Sequence, residues 1–297
     1  MEEGWISEYD HDKSYPKRDS CQAVYKEYAC LCRPNFRGVL FKQAVFAHTL
    51  LTFLAFSMTA SAVYILNDIM DREKDRQHPV KRFRPIAAGI ISLPFAWILF
   101  LLLLVGATGI SMVVRPALSG LLLAYFVMNI AYSLKLKHLV IIDVMIIATG
   151  FVMRAYAGAL ALELIASDWF ILCIFMLSMF LALAKRRSEL ILFLSDPSRQ
   201  RKVLQDYSLE LLNQMLSIVT AVSLTSYSLF ALQADKAHNE MSMMMTIPFV
   251  IYGMMRYLYL IHIKGMGGKP EDVLLCDKGI LWTCILFSFI VIFLRNL

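Results

Sequence analysis

The sequence predicts an all-α protein, a polytopic transmembrane helical bundle of about eight spans. Three observations carry this. Apolar runs close to twenty residues recur from residue 44 to the end of the chain, the length a helix needs to cross about 30 Å of hydrocarbon. Hydrophobic residues make up 59% of the 297 residues, with a mean hydropathy of +0.61, above the range of soluble domains. Lys and Arg gather in particular stretches between the runs rather than on one polar domain, which argues against nucleic acid as a partner.

Residues 1–20 are charged and turn-rich, and the acidic, polar start is not a cleavable signal peptide. Residues 21–42 mix Tyr, Cys and basic residues around a helix-breaking Arg33-Pro34. We therefore divide the chain into a polar or interfacial N-terminal segment, 1–42, and a transmembrane domain, 43–297. Spans are expected at 44–67, 89–113, 117–135, 139–162, 168–184, 211–233, 244–262 and 279–295. Alternate loops hold 17 Lys or Arg residues, while the loops between them offer Arg115 and Lys236. The positive-inside rule puts the rich side in the cytoplasm, so the expected location is the inner (cytoplasmic) membrane, multi-pass. Eight spans then leave the N-terminus outside, yet residues 13–42 carry seven Lys or Arg. Either that segment dips into the membrane, or a leading helix is short or missing. The six cysteines show no CxxC pair and are read as reduced or lipid-buried thiols.

The organising stretch is residues 67–89, NDIMDREKDRQHPVKRFRPIAAG, between two apolar runs. Asn67, Asp68, Asp71 and Asp75 recur at helical spacings, so they share one face. Three carboxylates and a carboxamide on one face repel unless a cation sits among them. Hard oxygens suit Mg2+, which keeps several waters and is commonly shared with substrate phosphates. Lys81, Arg82 and Arg84 follow between Pro79 and Pro85, and such cations clamp phosphate oxygens. The competing reading is a solvated, topogenic loop; the spacing and the apolar flanks weigh against it.

Arg154 lies eleven residues past Asp143, about 16 Å along a helix. An ionisable group at that depth is expensive and usually functional, although Asp143 or Glu163 offers a structural partner. Tyr132 and Lys137 read alone as an interfacial anchor and a topogenic charge, and Lys185, Arg186 and Arg187 as topogenic too. His48 and His78 are isolated, with no transition-metal pattern.

The pattern NDxxDxxxD followed by HPxKRxRPIAAG resembles the UbiA superfamily of intramembrane prenyltransferases, and more narrowly its polyprenyl-phosphate (decaprenyl-phosphate) phosphoribosyltransferase branch. AYSLKLKH (131–138), DVMIIATGFVMRAYAG (143–158), LAKRRSEL (183–190), IPFVIYGMMRYLYL (247–260) and GKPEDVLLCDKGILW (268–282) extend the resemblance from about residue 42 to about residue 284. It implies a UbiA-like catalytic domain over 43–297, usually of nine helices, with the active site on the cytoplasmic face. It further implies catalytic Asp68, Asp71 and Asp75, with Asn67 beside them, holding Mg2+ for the diphosphate of phosphoribosyl pyrophosphate. Lys81, Arg82, Arg84 and Lys137 are then expected on the 5-phosphate. The head of a polyprenyl phosphate is expected near Lys185, Arg186 or Arg154, and Tyr132 is expected among the substrate-binding residues. The implied activity is 5-phosphoribosyl transfer with release of pyrophosphate, for cell-envelope glycan precursors. Partners are the two substrates and membrane lipid, with monomer and homo-oligomer both open. Two departures stand out. The family's RPxQWxKN segment and first helix are not matched around Arg33-Pro34. The second aspartate motif of aromatic prenyltransferases is replaced by KRRSEL. Prenyl transfer to an aromatic or glycerol-phosphate acceptor is the alternative activity, and a silent scaffold or transporter the alternative class.

Overall fold

The computed structural model describes residues 43–77, 81–164, 166–195, 204, 206–238, 243–265, 273 and 276–294, and the N-terminal segment 1–42 lies outside them. The described residues form helices α1 (Gln43–Met70), α2 (Arg72–Gln77), α3 (Leu93–Val114), α4 (Pro116–Leu134), α5 (Ile142–Ala161), α6 (Asp168–Ser195), α7 (Leu209–His238), α8 (Ile247–Ile263) and α9 (Lys278–Leu294). No strand occurs among them. Seven helical stretches are long and apolar enough to cross a membrane, and the 17-residue α9 is a shorter apolar helix. The expected all-α polytopic bundle of about eight spans is therefore present.

Local chemistry explains the boundaries. Pro occupies the first turn of α3, α4 and α8, where its missing N–H costs nothing. α6 runs to Ser195, well past the expected end at 184. The charges there do not stop the helix, because Arg186 pairs with Glu189 one turn on along it. Thr52, Thr59, Thr108 and Thr220 donate their hydroxyls to the carbonyl four residues back, which satisfies polar groups where no water competes.

Successive spans alternate in direction, so the described residues of the connections, 71–77, 81–92, 135–141, 204, 206–208, 264–265, 273 and 276–277, share one end with the acidic motif. Two buried apolar clusters hold the bundle. One joins the motif-end halves of α5, α6, α7, α8 and α9 through residues such as Val144, Leu183, Leu216, Ile261 and Ile280. The other joins α1, α4 and the far half of α5 through Phe56, Leu118, Tyr125 and Ala157. α5 belongs to both, one half to each.

Candidate active site

The acidic motif straddles the end of α1. The helical register survives the turn at Asp71: its N–H donates to Asn67 O at 2.9 Å, and the Asp75 N–H donates to Asp71 O at 2.8 Å. Asp68 and Asp75 therefore stay on one face, and Arg84 Nη1 donates to Asp68 Oδ1 and to Asp75 Oδ2, both at 2.8 Å. Asp75 is buried, at 3% exposure. Asp71 is turned toward Lys74 Nζ at 3.6 Å, and Asn67 is half-buried. The loop that brings Arg84 back is set by its own sequence. Gly89 takes φ +80°, which glycine adopts without penalty, and Arg76 Nε ties Ala87 O to α2 at 3.0 Å.

Two carboxylates thus converge on one cation, here a guanidinium. No cluster of three His, Cys, Asp or Glu side chains forms a metal cage among the described residues. Mg2+ characteristically takes one or two carboxylates plus waters and substrate phosphates. The donor chemistry fits an ion shared with a diphosphate rather than one held by the protein alone.

The expected phosphate-binding cations are spread around the same end. Lys81 opens the 3-10 turn Lys81–Phe83, and the exposed Arg82 lies 4.8 Å over the Phe83 ring. Lys137 sits half-buried in the 3-10 turn Leu136–His138. Lys185 is exposed on α6.

Arg186 is placed otherwise than expected. It is 2% exposed, with Nε donating to Asp143 Oδ2 at 2.7 Å and Nη1 bonded to Glu189. Tyr132 is within electrostatic reach of it. These contacts make Arg186 the bridge between α5 and α6, with its charge directed at protein carboxylates. Arg187 likewise ties α6 to Asn213 at 2.7 Å and to Ile261 O at 3.2 Å.

Arg154 contrasts with both. The carboxylates that its sequence neighbourhood offered go elsewhere, Asp143 to Arg186 and Glu163 to Arg115 at 3.0 Å. Arg154 instead donates to Tyr125 Oη at 2.9 Å and lies 5.2–5.6 Å from the rings of Phe56, Tyr125 and Phe151. It remains exposed.

Three tyrosines escaped the sequence reading. Tyr125 has no motif around it. Tyr207 reaches the site only through the fold. Tyr64 lies four residues before Asp68 and seven before Asp71, so the helical register alone could have flagged it; it is 69% exposed. Two cavities of about 360 and 510 Å³ lie between α5 and α6 toward the opposite end, lined by residues such as Thr149, Phe175, Tyr156 and Asp168. Neither touches the acidic motif.

A polytopic bundle with converging carboxylates and a ring of cations at one end defines the class of membrane-embedded prenyltransferase-type enzymes. Residues 38–188 match the family described as the UbiA prenyltransferase family, and the chain belongs to that family. It is 33% identical over 228 residues to decaprenyl-phosphate phosphoribosyltransferase of Mycobacterium tuberculosis, covering 77% of this chain and 75% of that one. The enzyme of the same name from Mycolicibacterium smegmatis is 34% identical over 243 residues, covering 79% and 76%. Among solved structures, a UbiA homolog from Archaeoglobus fulgidus bound to GPP and Mg2+ shares the fold, with TM-score 0.64 and 18% identity over 90% of this chain and 96% of that one.

Proposed function

We propose that this protein transfers a 5-phosphoribosyl group from phosphoribosyl pyrophosphate to a polyprenyl phosphate and releases pyrophosphate. The observation that carries this reading is the charge asymmetry at the motif end. Among the described residues, Asp68 and Asp75 converge on the partly exposed Arg84 on the α1 side, whereas Asp143 on α5 and Glu189 on α6 are taken by the buried Arg186, and Lys185 on α6 is left exposed. One acidic site suits one metal-bound diphosphate, and the cations suit phosphates held by charge alone. The names of the relatives point the same way. The same loop charges favour a cytoplasmic site in the inner membrane.

Asp68 and Asp75, with Asn67 and Asp71 beside them, would hold Mg2+, which when bound neutralises the diphosphate leaving group. Arg84 turns from the carboxylates to the incoming phosphates. Lys137, Lys81 and Arg82 take the 5-phosphate. Arg154 faces the acceptor's phosphate, because its guanidinium has an aromatic wall and a phenol but no carboxylate ion pair among the described residues. A phosphate oxygen of the acceptor attacks C1 of the ribose. The C1–O bond to the diphosphate breaks, and pyrophosphate leaves with the electron pair. The nucleophile is already an anion, so no general base is required, and the protein contributes position and electrostatics.

The test supplies purified protein with labelled phosphoribosyl pyrophosphate, polyprenyl phosphate and Mg2+. Label should become lipid-extractable in step with pyrophosphate release. Turnover only with a prenyl diphosphate and an aromatic or glycerol-phosphate acceptor would replace this reading with prenyl transfer. No turnover with either pair would leave a scaffold.

A further inference from the structure

We infer that Tyr207 is a positioning residue, which clamps a strained turn at Ile141 and thereby sets the direction of the Lys137 turn. This rests on the reading of Lys137 as a ligand for the donor's 5-phosphate.

Ile141 has φ 69° and ψ −47°, and the Ile142 N–H donates to Val140 O at 2.8 Å. That is a γ-turn of the rare, strained hand. A β-branched side chain at positive φ is a genuine outlier, and such strain persists only where the surroundings over-determine it. Tyr207 supplies the constraint. Its hydroxyl accepts the Ile141 N–H at 2.7 Å and donates to Asp143 Oδ1 at 3.0 Å. Its ring is 5% exposed and packs within the α5–α9 core. Asp143, fully buried, is held in turn by Arg186. The connection between α6 and α7 thus fastens the connection between α4 and α5.

On the Lys137 side of the clamp, the Leu139 N–H donates to Leu136 O, and the Asp143 N–H donates back across the turn to Leu139 O, each at 3.1 Å. The turn at Ile141 therefore fixes how residues 136–138 leave α5. Lys137 lies four residues before it. A phosphate remote from the reacting carbon is bound alike in ground and transition states, so misplacing its ligand raises KM and leaves kcat nearly unchanged.

The experiment uses the full chain in lipid nanodiscs, with Tyr207→Phe, Ile141→Gly and the pair. Tyr207→Phe keeps the ring and removes the hydroxyl. It should speed amide exchange at residues 139–143 and raise KM for phosphoribosyl pyrophosphate, each by about tenfold, the scale of one lost buried hydrogen bond. The kcat should stay within about threefold. Ile141→Gly on top of it should bring KM back to within about threefold of the native value, because glycine adopts positive φ without strain. A rescue through local strain is not expected of a residue that only stabilises the core. Unchanged exchange and KM in Tyr207→Phe, or a double variant no better than the single, overturns the clamp. Ile141→Gly alone checks the strain if Tyr207→Phe does not fold. Ile141 is 41% exposed and loses little packing, so the melting temperature should hold or rise, and a clear drop overturns the clamp. If the native chain turns over no phosphoribosyl pyrophosphate, the functional reading fails, while the exchange rates still decide whether Tyr207 restrains Ile141.

Discussion

Arg84 is the residue whose removal should move two observables in opposite directions. Its Nη1 sits 2.8 Å from both Asp68 and Asp75, so it occupies the place between the carboxylates that a divalent ion would take. A unit charge pair at about 4 Å is worth about 4 kcal/mol at an effective dielectric of 20. The Arg84 side chain is 42% exposed, and solvent reduces such a pair to about 1 kcal/mol or less. Two partners then give about 1–2 kcal/mol, and Mg2+ entering the proposed site would have to displace that interaction. Arg84→Ala should therefore bind Mg2+ about tenfold more tightly when no diphosphate is present. Turnover should fall by about tenfold or more, because the donor loses one of its phosphate clamps. Titration calorimetry with MgCl2 reads the first effect and lipid-extractable label the second. Weaker Mg2+ binding in Arg84→Ala would refute the reasoning, since Arg84 would then be building the metal site rather than holding its place.

Other outcomes follow from the same geometry. Asp68→Asn and Asp71→Asn should each lower the rate of phosphoribosyl transfer at least about a hundredfold, the scale of losing a key electrostatic group; near-native rates in both would remove the metal assignment. Arg186→Met strands the fully buried Asp143 and should cost about 3–5 kcal/mol of stability, while adding Asp143→Asn should recover much of it; thermal melting in micelles of both variants checks the difference. Burial pushes the Tyr207 phenol up to about 12 from an ordinary 10.0. The folded protein thus keeps a proton that the unfolded chain loses. The resulting stability is complete below about pH 10 and is lost as pH rises toward 12. The melting-temperature gap between the native chain and Tyr207→Phe should narrow across that window and stay constant from pH 7 to 9.

The helices and the acidic face were legible in the sequence because each depends on a period. Spans need length and apolarity, and the face of Asp68 and Asp75 needs only 3.6 residues per turn. Arg84 was legible as a cation near a phosphate site, but not as the counter-ion of those carboxylates, since the loop geometry that returns it depends on Gly89 and on Arg76 reaching Ala87 O. Arg186 and Arg154 show the limit more sharply. Arg154 sits in an apolar run within helical reach of Glu163 and Asp143, whereas Arg186 sits in a charged run and reads alone as topogenic, far along the chain from Asp143. Which of them receives it is decided by the packing of α6 on α5, a contact between residues 43 apart. Tyr207 is further still from any sequence signal, because its role is a hydroxyl brought to a turn 66 residues earlier in the chain.

The two cores explain why the charges end up at one mouth. The motif-end half of α5 packs with α6 to α9 through Val144 and Ala148, and its far half packs with α1 and α4 through Ala157. α1 is thus gripped against α5 at the level of Phe56, not at the level of Asp68. At the motif end the acids lie on α1 and α2, with Lys137 on the turn between α4 and α5 and Lys185 on α6. Arg154 lies at the level of Phe56 and Tyr125. It is exposed although midway along a span. An unneutralised guanidinium at that depth is tolerable only if an anion or water reaches it. The lipid substrate proposed above would bring that anion from the membrane side, while the soluble donor enters past Arg84. On that reading, two substrates of opposite solubility would reach one reacting carbon by separate approaches.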